Sequence, residues 1–213
     1  MIERVDIKQA ARLLGFHDGV PDEVTLRLIE QYEPILADAA TPRYRYIISP
    51  VEKCPVPLIG NDIQKHLENC ENVALLCATL GAKTDTLIRS AQITSMAGAV
   101  VLDALAGAAI EQVCDKCESE IAALYPNMQM TYRFSPGYGD YPLSVQPRFL
   151  LALDAVRRTG ISVTESGMLT PSKSVTAIIG MSSNKMERTR RGCISCSVRE
   201  KCTLREKGEH CGF

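Results

Sequence analysis

The 213 residues suffice for one large domain or two small ones, and 46% apolar with 23% charged residues suits a chain that buries its own core. A formal net charge of −1 excludes the overall electrostatic footprint of a nucleic-acid binder, and the lack of Trp argues against a base-stacking platform. Nine cysteines, an odd number without a visible secretory leader, do not suggest a disulfide framework, and a cytoplasmic protein is expected. The longest apolar run, 97–102, stops at Asp103. Extended to Ile110 it still falls short of the roughly 20 residues a membrane crossing needs, so no membrane is expected.

In chain order, the pattern predicts a helix over 6–14 that Gly15 ends. A second helix opens at Pro21, with Asp22 and Glu23 in its first turn, where acids complement the helix dipole. Leu28, Ile29, Tyr32, Ile35 and Leu36 fall on one of its faces, and Thr41-Pro42 ends it. A strand follows at 44–49, a turn-rich link at 50–57, a short helix at 62–68, a buried strand at 72–80 and a helix at 84–95. Residues 96–125 form a long central helix carrying Ala97, Gly98, Ala99, Ala104, Ala106, Gly107, Ala108 and Ala109. Small residues let another backbone approach. Each glycine costs about 1 kcal/mol against alanine, so close packing or a ligand must compensate.

Further on, 128–133 reads as a strand, 146–159 as one helix closed by Gly160, and 162–165 and 174–181 as strands. The composition then shifts: 184–191 is polar and basic, and a cysteine-rich tail follows. The expected organisation is a helical lead over 1–42, a main domain over 43–182, and a basic linker and tail over 183–213. The expected fold class is α+β, a curved antiparallel sheet with packed helices and a helical N-terminal lead.

Two segments carry chemistry. The first is 133–142, Arg-Phe-Ser-Pro-Gly-Tyr-Gly-Asp-Tyr-Pro, where a strand runs into a loop stiffened by two prolines and turned by two glycines. Arg133 at the strand end has the fork geometry for a carboxylate, and Tyr138 is placed to cover a ring. The same composition also makes an ordinary turn, and the residues alone leave both readings open.

This segment resembles the Arg-Pro-Ala-Pro-Gly-Tyr-Pro loop of the activation domain of cobalamin-dependent methionine synthase. Residues 163–175, Val-Thr-Glu-Ser-Gly-Met-Leu-Thr-Pro-Ser-Lys-Ser-Val, resemble that family's Leu-Thr-Glu-Ser-x-x-Met-x-Pro-x-x-Ser-Val stretch, in the same order and with one helix between. The small-residue helix before the loop is similar too, so the likeness spans roughly 75–180.

The resemblance implies that the domain binds S-adenosylmethionine, whose methyl group restores methylcobalamin after reduction. It implies that Arg133 holds the methionyl carboxylate and that Ser135, Gly137 and Tyr138 contact the nucleoside, while Glu111 is expected either to face the amino group or to be a plain solvated helix carboxylate. Glu165, with Ser166, is expected either to support the loop or to form a plain strand-end turn. The chain departs from the family at Gly107, where an acid is usual, and at 183–186, where a tyrosine is missing. The implied partner is a cobalamin-binding methionine synthase subunit, with a reductase or flavodoxin as electron source. No general base is expected, because a sulfonium methyl is already electrophilic. His17, His66 and His210 look uncommitted.

The second segment is the tail. Cys193, Cys196, Cys202 and Cys211 lie within 19 residues, the first two as C-x2-C. Four thiolates suit zinc or an iron–sulfur cluster, or stand as free reactive thiols, and the spacing alone does not choose. A metal would fold a segment too polar to build a core. Lys185, Arg188, Arg190 and Arg191 ahead of it read as a solvated linker or as a docking patch. Cys114 and Cys117, three apart on a helix, read as buried thiols.

Three functional readings remain, one leading and two alternatives. The leading one is a stand-alone reactivation subunit. The alternatives are a cysteine-rich metal or redox accessory protein that kept the fold, and an activator of another corrinoid methyltransferase.

Overall fold

The computed structural model describes residues 4–16 and 18–184. The four tail cysteines, the basic run before them, His17 and His210 lie outside the described residues.

Helix α1 (Ile7–Leu13) begins where the Asp6 side chain accepts from Gln9 N. Helix α2 (Glu23–Ala39) begins at Asp22, whose carboxylate accepts from Thr25 N at 2.7 Å. The expected start at Pro21 is therefore corrected: a side chain that satisfies an orphan N–H sets the boundary, and the proline stands outside it. Strand β1 (Arg43–Pro50) is followed by a 3-10 turn (Val51–Lys53), helix α3 (Asn61–His66), strand β2 (Asn72–Thr79) and helix α4 (Ala82–Thr94). The central helix α5 (Met96–Leu124) has 29 residues, capped by Ser95 Oγ on Gly98 N.

The second half departs more from expectation. Strand β3 is only Gln129–Met130, because the Thr131 hydroxyl accepts from Gly180 N at 2.7 Å and the chain then leaves regular pairing until Phe134. The helix expected over 146–159 is two, α6 (Gln146–Leu153) and α7 (Ala155–Thr159). They meet at Asp154, held at φ 51° with its carboxylate on Arg157 and Arg158. Strand β4 is Ser162–Val163, and its partner β5 (Leu169–Thr170) escaped the sequence pattern because two residues show no alternation. Strand β6 (Ser174–Ser182) completes the set.

The main sheet is antiparallel in the order β1-β2-β6-β3, and β4-β5 is a separate hairpin. Alternate side chains explain the layers. Ala74, Leu76, Ala78, Ala177, Ile179 and Met181 pack under α5 with residues of α1, α2 and α4. Val73, Leu75, Cys77 and Ile178 face the opposite core, built with α3, α6 and the loop residues Phe134 and Tyr141. Both faces of β2 are thus covered, which is why it reads as an unbroken apolar run.

Helix α5 is long and apolar enough to cross a membrane by composition. In this fold that apolar surface is spent on the core, with Leu102, Leu105, Ala106, Ala108 and Ala109 fully buried. Gly98 shows why the helix is rich in small residues: a Cβ there would strike the Tyr32 ring of α2.

Candidate functional site

The site forms where the β3 edge stops being a strand. Phe134 exchanges both backbone bonds with Ile178, at 2.9 and 2.8 Å, and this bridge fixes Arg133 against α5. Glu111, Asp115 and Glu118 recur at helical spacing on one face of α5. All three reach the same guanidinium: Arg133 Nη2 to Glu111 at 2.6 Å, and Nη1 to Asp115 at 2.8 Å and to Glu118 at 2.5 Å. The Arg133 side chain is only 12% exposed, whereas Asp115 is 64% exposed and supplies the most solvated of the three contacts. Burial works against the charge of Arg133, but Cys114 and the acids around it hold the guanidinium above its ordinary pKa.

The loop that follows is anchored at two points. Gly137 N donates to Tyr141 O at 2.7 Å and Tyr138 N to Ser135 O at 3.1 Å, so the loop closes on itself. Tyr141 is 1% exposed and its hydroxyl donates to Pro57 O at 3.2 Å. The Asp140 carboxylate accepts from Asn61 N at 2.7 Å and Asp62 N at 2.9 Å, capping α3 across 79 and 78 residues of chain. Asp62 returns the contact by accepting from Asp140 N at 3.2 Å. Those backbone bonds hold the Asp140 carboxyl below its ordinary pKa. Gly139, at φ +52°, fits here because a Cβ would run into the Asp62 carboxylate.

A groove of about 210 Å³ opens beside this loop. Its walls include Glu111 and Arg133 on one side, Ser135, Pro136 and Tyr138 on the loop, and Ser174, Val175 and Thr176 on β6. Thr176 donates to Gln146 Oε1 at 2.8 Å in a buried pair that firms the groove wall. Of the expected site residues, Glu111, Arg133, Ser135 and Tyr138 come together here. Gly137 shapes the loop without lining the groove. Glu165 is exposed in the β4-β5 turn, which closes on itself through Thr164 and Met168 and abuts Leu143 near the loop through Gly167. Gln146 and Thr176 were missed: a buried glutamine at a helix start leaves no sequence signal, although Thr176 directly follows the Ser-Val pair of the family-like stretch.

Gly107 lies elsewhere, in an apolar groove of about 430 Å³ between α1, α4 and α5, with its Cβ position facing Leu13. His66 is also not uncommitted. Its ring packs on Tyr132 and Phe134, with centroids at 4.6 and 4.9 Å, and its Nε2 lies 2.9 Å from Thr131 Oγ1. Cys114 and Cys117 are buried, and burial pushes the Cys117 thiol up to about 12. They are inert core thiols, as expected. Among the described residues no group of three or more His, Cys, Asp or Glu side chains is arranged to hold a metal.

No family model and no curated protein matches the chain. Among solved structures, the crystal structure of the MetH reactivation domain bound to AdoHcy is similar, at 15% identity and a TM-score of 0.56, over 94% of this chain and 73% of that one. The likeness is one of fold.

Proposed function

We propose that this chain, with the fold of that reactivation domain, binds S-adenosylmethionine across the Glu111–Arg133 pair. In this reading it is a stand-alone reactivation subunit for a cobalamin-binding methionine synthase partner in the cytoplasm. The observation that carries the reading is the opposed charge pair in the groove wall beside the 133–142 loop. An amino-acid zwitterion needs one cation and one anion side by side. Arg133 takes its carboxylate in exchange for one of the α5 acids, and Glu111 takes its ammonium. Three carboxylates around one guanidinium leave an excess of negative charge, which favours a sulfonium over a neutral thioether. Ser135, Gly137 and Tyr138 shape the nucleoside side, and Glu165 supports the loop from the neighbouring hairpin.

S-adenosylmethionine supplies an electrophilic methyl group, so the chain's task is positioning and exclusion of water. The methyl acceptor is the partner's reduced cobalamin, and a reductase or flavodoxin supplies the electron. Cys193, Cys196, Cys202 and Cys211 hold zinc or an iron–sulfur cluster in this proposal.

One observation favours a second reading. Arg133 is already held by three carboxylates, as a structural strut would be. A cysteine-rich accessory protein that kept the fold and lost the ligand fits this arrangement. Calorimetric titration of the full chain with S-adenosylmethionine and with AdoHcy separates the two. The expected result is saturable binding, tighter for the sulfonium, and weakened at least about tenfold in Arg133→Ala. No binding by the unaltered chain would leave the accessory reading, and equal affinity in a folded Arg133→Ala variant would overturn the assignment of the ligand carboxylate to Arg133.

A further inference from the structure

The far edge of the sheet carries a different feature. Ile178 exchanges both of its backbone bonds with Phe134, so even-numbered residues of β6 point their N–H and C=O groups away from β2. The register then assigns the other strands. Odd residues of β6 bond even residues of β2, and odd residues of β2 bond odd residues of β1. Tyr44, Tyr46 and Ile48 therefore aim their N–H and C=O groups outward, and no described residue bonds them there. An eight-residue strand without a bulge or an interior proline is a template for pairing with another strand.

The side chains say which strand. With Tyr46 placed opposite its own copy, Tyr44 lies opposite Ile48, and every outward N–H meets an outward carbonyl. The intervening pairs become Arg45 with Ile47 and Arg43 with Ser49, so no like charges face each other. Shifting the register by one residue would set outward groups against inward ones. A strand alone is too small for a stable interface, but its flanks extend it. Tyr44 bonds Glu120, which places the C-terminal end of α5 over β1, and Leu124 and Tyr125 follow at 64% and 38% exposure. On the other face Arg45 reaches Leu153 O at 2.9 Å, and Leu151 and Val156 nearby on α6 and α7 are 71% and 65% exposed.

We infer that the β1 edge is a homodimer interface, pairing antiparallel with a second copy about a two-fold axis at Tyr46 to make a continuous eight-stranded sheet. The two grooves beside the 133–142 loops then lie on the outer edges, open to partners.

Sedimentation of the full chain over a micromolar concentration series tests this. The expected mass is twice 23.3 kDa. Tyr46→Pro removes an outward N–H that no described intramolecular bond uses, and it should give a monomer with an unchanged circular dichroism spectrum. If that variant fails to fold, Val156→Glu decides, since Val156 is exposed and its change spares the core. It should raise the dimer dissociation constant by more than about tenfold with no change in melting temperature. A monomer throughout the series, or a dimer as tight in Val156→Glu as in the unaltered chain, would overturn the interface.

Discussion

The two edges of the sheet are built on opposite plans. At β1, eight residues pair without interruption and all polar backbone on the inner side is spent on β2. At β3, two residues pair, Thr131 bonds Gly180 through its N–H and its hydroxyl, and the chain then leaves the ladder until the bridge at Phe134. The interrupted edge is the one with a groove, a buried arginine and a loop locked by long-range bonds. Regular pairing consumes the groups that could contact a ligand, whereas a broken ladder releases them and needs other anchors to hold its shape.

If anchors hold the β3 side, removing one should cost far more there than an edge loop usually does. Tyr141→Ala empties a site that is 1% exposed and packed on Phe134, Cys54 and their neighbours. A loss of about 3–5 kcal/mol is expected, read from the urea midpoint, because truncating a buried aromatic combines lost burial with a cavity. A loss under about 1 kcal/mol would mean that the loop adds little to the fold and that the contrast between edges is only geometric.

The β1 side predicts the reverse sign. Ser49 Oγ is buried with no described hydrogen-bond partner. Ser49→Ala should therefore stabilise the chain by about 1 kcal/mol, since a buried hydroxyl without a partner is a cost. Equal or lower stability in that variant would show that the hydroxyl has a use at the edge, as in a strand pair where it faces Arg43 of the second copy.

Legibility in the sequence followed the same division. The continuous apolar run of β2 and the helical spacing of α5 are local patterns, and both elements lie within a few residues of their expected bounds. The break at Asp154 was not legible, because the apolar period carries on through it and the turn depends on arginines reaching back. Of the site, Arg133 and the loop were legible through family resemblance. Asp115 and Glu118 were missed: they follow Glu111 at helical spacing, but nothing local says that a residue 15 or 18 positions later binds them. The same holds for Asp140 and Asp62, two acids whose exchange of bonds across 78 residues exists only in the fold.

That last pair makes the smallest expected effect and the most specific one. The Asp140 carboxyl is held below its ordinary value of 3.8, chiefly by the N–H groups of Asp62 and Asn61. A group whose folded pKa is depressed contributes stability that is fully present above its unfolded pKa and lost as pH falls through the folded one. The anchor should thus be intact at neutral pH and should weaken only below pH 3.8. Because Asp140 is fully exposed, the effect belongs to the loop rather than to the whole fold. Amide hydrogen exchange at Asn61 and Asp62 should speed up in Asp140→Asn at neutral pH, after correction for the intrinsic rate. The β1 amides that bond β2 should not change. If both edges loosened together, the anchors would be part of global stability, and the division between a paired edge and a pinned one would fail.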